Sequence, residues 1–137
     1  MRRGLIAATL ALVIAGGGVA EADACQRQYH SVYVELSSSR YPETTDHIAD
    51  AIAAGEAALL HIARDQEEAN REASLAPWPP RTGFDRDEYP PAMSDEGGAG
   101  ADVRYIDPSD NRGAGATMGN ALEDWCNTQP FRLRIVG

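Results

Sequence analysis

Between Phe84 and Leu122 two short extended runs and one helix-forming run are separated only by prolines, glycines and an Asx-rich turn, and that order leaves few ways to fold. "FDRDEYPP" reads as extended and stops at prolines, which withhold backbone donors from a ladder. "GGAGA", residues 97–101, is a glycine loop, and "DVRYI" is a second strand. "DPSDN" is a turn in which Asp and Asn side chains bond their own backbone. "GATMGNALEDW" then has the composition of a short helix.

The flanks add elements without adding a domain. "HSVYVELSS" alternates Val32, Val34 and Leu36 with polar neighbours, the period of a half-buried strand. "RYPETTDHIADAIAAG" predicts a turn and a helix: Thr45 or Asp46 caps it, Ile48, Ala51 and Ile52 form its apolar stripe, and Gly55 ends it. "EAALLHIARDQEEANREASL" predicts a second helix, with Leu59, Leu60 and Ile62 inward. "APWPPRTGF" is a proline-rich connector, and "FRLRIV" a closing strand. The class expected is α+β, one small domain over residues 25–137.

Residues 1–24 begin with two arginines, continue through an apolar run from Leu5 to about Ala15, and close on "ADA". That order is a secretory signal peptide with an A-x-A cleavage site. The run is shorter than the roughly 20 residues a spanning helix needs. The mature protein is therefore expected to be secreted, with no membrane attachment after cleavage. A lipid on Cys25 is not expected, because Ala22 and Asp23 stand where a lipobox carries a larger aliphatic and a small residue. Cys25 and Cys126, the two cysteines, are expected to pair in an oxidising compartment.

The net charge is −9, and every basic residue is an arginine. An acidic surface opposes a polyanion at long range. Arg81, Arg86, Arg104 and Arg112 nevertheless cluster around the acidic stretch, and guanidinium groups grip phosphate oxygens bidentately as readily as they pair surface carboxylates. "DPSDNRG" is not an EF-hand loop, since Arg112 occupies the sixth position where glycine is required. "GAGATMG" lacks the spacing of a dinucleotide fingerprint. The three histidines lie outside the stretch, and His47 is expected to be a helix residue satisfied by hydrogen bonds.

"FDRDEYPPAM", "EGGAGADVRY" and "SDNRGAGATMGN", with the segment from "SSSRYPETTDHIADAI" onward, resemble the secreted NucA/NucB deoxyribonucleases of bacteria over roughly residues 38–122. The resemblance implies a ββα-metal type core and a metal-dependent, non-specific endonuclease that hydrolyses DNA, held through its phosphates. The alternative from another class is a secreted, ion-stabilised binding domain without turnover. Relatives often carry a cysteine pair near Leu60 and Ser94, which this chain lacks.

Phosphodiester hydrolysis needs a base for water, a divalent ion and cations on the phosphate oxygens. Wider ββα-metal nucleases end the first strand in D-R-G-H and open the helix with an asparagine that binds metal. The corresponding pieces here are "DRDE" and "NRGA". With no histidine in "DRDE", a carboxylate must serve as base: Asp87 is expected, while Glu88 stands at the histidine position. Asn111 is the expected metal ligand, its alternative being an ordinary N-cap. Mg²⁺ is the implied cofactor, with Mn²⁺ as substitute. Arg86, Arg104 and Arg112 are candidate phosphate contacts. Glu96 and Asn120 are candidates to orient waters around the ion, and Asp85 to act as a supporting acid at the strand end. Tyr89 and Trp125 read as packing. A monomer is expected, and an inhibitor protein is not legible.

Overall fold

The alternation in "VYVEL" puts Val34 and Leu36 inward as β1, Val32–Ser37, in the computed structural model, which describes residues 25–137. The expected leader over residues 1–24 lies outside the described residues. β5, Pro130–Val136, pairs in parallel with β1, setting Val34 opposite Leu133. A two-residue β2, Leu60–His61, pairs antiparallel on the other side of β5, with Leu60 opposite Phe131. The sheet order is β1-β5-β2.

β2 corrects the expected helix over 56–75. Leu60 and Ile62 are buried while Leu59 is exposed, a period of two across residues 60–62. Pairing to β5 and a bridge from Ile62 to Ser94 satisfy this backbone as extended chain. Only after a 3-10 turn, Arg64–Gln66, does a helix form, α2 at Glu67–Leu75.

α1 spans Pro42–Ala54 and ends at Gly55 in the left-handed region, as expected. Its start differs from the expected Thr45 or Asp46 cap. Pro42 occupies the first helical turn, and Tyr41 makes no side-chain cap. The acceptor comes instead from a distant element: Asp110 takes hydrogen bonds from the Glu43 and Thr44 backbone N–H groups and from the Thr44 hydroxyl. A carboxylate there satisfies orphan donors and favours the helix dipole.

β3, Asp85–Tyr89, and β4, Asp102–Ile106, form a separate antiparallel pair with Asp87 opposite Arg104. α3 follows at Pro108–Leu122. The expected "DPSDN" turn is this helix's own N-terminus: Asp107 is the N-cap, accepting from the Ser109 and Asp110 N–H groups. Asn111 therefore lies inside the helix, and its N-cap alternative is corrected.

α1 and α3 form a middle layer between the two sheets, while α2 covers the other face of the β3–β4 pair. Leu36, Ile48, Leu60, Leu122 and Phe131 meet in the resulting core. Each fully buried side chain of this kind contributes about 1.5–3 kcal/mol. Gly113 permits the close approach of α3, since a Cβ there would sit 2.6 Å from the Tyr41 ring. Cys25 and Cys126 form a disulfide, joining the start of the described chain to the segment between α3 and β5. No helix among the described residues is long and apolar enough to cross a membrane.

Candidate active site

β3 sends alternate side chains to opposite sides of its two-stranded sheet. Asp85 and Asp87 face α3 and α1, while Arg86 and Glu88 face α2 and the connector. One edge of β3 pairs with β4, and the other borders a groove of about 610 Å³ between α2 and α3. Residues from both faces of β3 line it, Asp85, Asp87 and Glu88 among them. On the α3 wall are Asn111, Gly115 and Met118, at i, i+4 and i+7. Gly115 leaves that wall open, because nothing stands within 4 Å of where its Cβ would be.

Asp87 is 9% exposed, and its Oδ2 lies 2.7 Å from Nδ1 of His47, which is fully buried. Burial pushes the Asp87 carboxyl above its usual range, and the His47 hydrogen bond pulls against that rise. Oδ1 of Asp87 makes no hydrogen bond among the described residues. The pair therefore presents a desolvated carboxylate with one oxygen held and one available.

His47 is the site residue the sequence reading missed. Its Nδ1 is bonded as expected of a satisfied helix histidine, but Nε2 is buried without a hydrogen bond and ends 3.5 Å from Asp102 Oδ1. The available signal was its place on α1, four residues before Ala51 and beside Ile48, which puts an imidazole on the inward stripe.

Glu88 differs from its neighbour. The Ser74 hydroxyl donates to it, and Arg71 Nε stands 3.6 Å from its other oxygen. Burial also raises its carboxyl, but α2 holds both oxygens.

At the opposite end of β3, Arg112 clamps Asp85 through Nε and Nη2 at 2.8 and 2.9 Å, and Asn111 Nδ2 lies 3.3 Å from Asp85. The Arg112 bonds hold the Asp85 carboxyl below the usual carboxylate range. Asp85 thus binds side chains of α3.

Among the described residues no three His, Cys, Asp or Glu side chains converge into a metal cage. The groove instead offers the Asn111 amide oxygen, with the Asp85 carboxylate beside the amide nitrogen. That set fits Mg²⁺, which keeps most of its waters and takes one or two protein oxygens plus phosphate.

Other expected residues lie elsewhere. Arg86 donates to the Trp78 carbonyl at 2.6 Å and fastens the connector to β3. Arg104, across the ladder from Asp87, pairs with Asp50 of α1. Glu96 accepts from the His61 backbone N–H and lies 2.7 Å from its imidazole, outside the groove lining. Asn120 is exposed on α3 and also outside that lining. Tyr89 donates to the Ala57 carbonyl, and burial pushes its hydroxyl up to about 12, in keeping with packing. Trp125 packs on the core.

A hairpin whose first strand carries a buried acid, followed directly by a helix that carries an amide into the same groove, defines a ββα unit. The deoxyribonuclease NucA/NucB family profile matches residues 49–129. The DNA-entry nuclease of Bacillus subtilis (strain 168) is 43% identical over 121 residues, covering 88% of this chain and 82% of the relative. The chain belongs to the NucA/NucB deoxyribonuclease family and is a nuclease.

Proposed function

We propose that the chain is an exported, divalent-metal-dependent endonuclease that hydrolyses DNA with little sequence preference, using Asp87 as general base and His47 to position it. The carrying observation is the buried Asp87–His47 pair at the groove. A base must be ionised yet avid for a proton, and burial supplies the avidity while the imidazole fixes the carboxylate's direction.

The proposed reaction moves a water proton to Oδ1 of Asp87 as the oxygen attacks phosphorus, and the bond to the 3′ oxygen breaks, that oxygen taking a proton from solvent water to leave as the 3′ hydroxyl. Asn111 would hold the divalent ion, with Asp85 beside it to fix the amide. When bound, that ion supplies positive charge to the scissile phosphate and the leaving oxygen. Arg112 is 72% exposed and uses only Nε and Nη2 on Asp85, so Nη1 is available to a phosphate oxygen. Contacts made only to phosphates position a strand without reading its bases.

Export is supported by the leader's composition and by the Cys25–Cys126 disulfide, a bond favoured in oxidising compartments. Conversion of supercoiled plasmid to nicked and linear forms tests the function. Activity with Mg²⁺ that vanishes with chelator and returns on readdition supports it; unchanged cleavage under chelator contradicts the metal, and absence of cleavage at any metal contradicts the enzyme.

A further inference from the structure

Beside the groove the connector holds an aromatic surface that the hydrolytic chemistry leaves unused. Prolines 77, 79 and 80 restrict the backbone of this segment. The Arg86 guanidinium holds the Trp78 carbonyl, and the Tyr105 hydroxyl donates to the Pro79 carbonyl at 2.6 Å. The outcome is a fastened loop that leaves Trp78 37% and Phe84 44% exposed.

These rings are organised. Trp78 meets Tyr105 edge to face at 6.0 Å between centroids. The exposed Arg81 guanidinium stands 4.9 Å from the Phe84 centroid and 5.6 Å from that of Tyr105. Singly exposed apolar side chains are ordinary, but here Trp78 and Phe84 share one surface through Tyr105 and Arg81.

The surface continues into the catalytic groove. Phe84 lines the groove itself, Trp78 lines an adjoining open cleft, and Pro80 and Arg86 line both. A strand leaving the scissile phosphate along the β3 edge would meet the rings next. Glu68 and Glu72 line this cleft together with Arg71 and Arg86, so its charges balance and the rings are its distinguishing surface.

We propose that Trp78, Phe84 and Arg81 form a base-stacking subsite for unpaired nucleotides flanking the scissile bond, which makes single-stranded DNA the favoured substrate at this end of the groove. The proposal rests on the nuclease reading above. Aromatic faces accept any base, because every base has a π-face, and Arg adds a cation–π contribution. Duplex DNA keeps its bases stacked on one another and gains nothing from the rings.

The test compares mature protein with Trp78→Ala, Phe84→Ala and the double variant on an oligothymidylate and on a duplex of equal length, reading KM and kcat for each. Stacking of one base on an aromatic ring is worth a factor of roughly 5 to 150 in binding. KM for the single strand is therefore expected to rise at least about fivefold for each single variant, and duplex KM is expected to stay within about twofold of wild type for Trp78→Ala, which lies outside the groove lining. Trp78→Phe and Phe84→Tyr, which keep the π-face, are expected to retain the preference. Equal changes on both substrates, or no change on either, overturn the subsite while leaving the nuclease intact. Failure of the wild-type protein to cut either DNA overturns the nuclease reading itself.

Discussion

Replacing His47 with alanine removes the one hydrogen bond that holds the Asp87 carboxylate, and its consequences are read in both stability and pH dependence. The bond is 2.7 Å long, between a fully buried ring and a carboxylate 9% exposed. Stripping the partner from a buried charge costs about 3–5 kcal/mol. That is a large share of the roughly 5–15 kcal/mol that holds a domain together. His47→Gln, which keeps a donor, is expected to recover part of this loss.

The titration has a definite sign. Burial already raises Asp87, and the His47 bond is the largest influence lowering it. Without His47 the carboxyl titrates higher still, so the acid limb of kcat/KM moves to higher pH; each unit of movement corresponds to about 1.4 kcal/mol. In the wild-type protein the raised Asp87 contributes stability that is full below its unfolded value and is lost as pH rises through the folded value. In His47→Ala the loss is expected to extend to higher pH and so to be larger in total. Initial rates of plasmid nicking from pH 4 to 9, beside thermal melts at each pH, provide both readings. An acid limb unmoved in folded His47→Ala would refute the positioning role and leave His47 a packing residue.

Denatured, unreduced mature protein is expected to show no free thiol by titration, and reduction to lower its melting temperature. The separation of 101 residues between the cysteines corresponds to about 4–5 kcal/mol of loop entropy. Two free thiols would contradict the pairing. Asp110→Ala leaves the Glu43 and Thr44 donors of α1 without their acceptor and is expected to lower stability by about 2–4 kcal/mol in urea titration; a loss under 1 kcal/mol would mean that water replaces the carboxylate. Asn111→Ala is expected to fold and to lose most nicking activity, with Mn²⁺ restoring only part, and full activity at limiting metal would remove it from the ion's shell.

The local order of strand, glycine loop, strand and helix was legible because prolines, glycines and Asx residues punctuate it, and β4 runs over Asp102–Ile106 as expected. The α1 cap was not, because its acceptor lies 66 residues away in sequence from Thr44, and no local pattern announces Asp110. "LLHI" was misread as helix for a related reason. Three apolar residues in four satisfy a helical stripe as well as a short strand, and only β5, far along the chain, decides between them. Simple alternation along a strand suffices to put Asp87 and Glu88 on opposite faces, as the structure has them. Arg86 and Arg104 show the limit of residue type as a guide: a guanidinium suits phosphate, and here carbonyls and Asp50 take it first.

The central claim is that Asp87 takes the water's proton, and Asp87→Asn tests it most directly, since the amide keeps the shape and removes the basicity. Turnover of plasmid is predicted to fall by a factor of roughly 10² or more, the size expected for losing a general base. Metal affinity, measured by calorimetry on the same protein, is predicted to stay within about twofold, whereas a sharp weakening would place Asp87 on the ion. Near-normal turnover would contradict the account and move the base to Glu88.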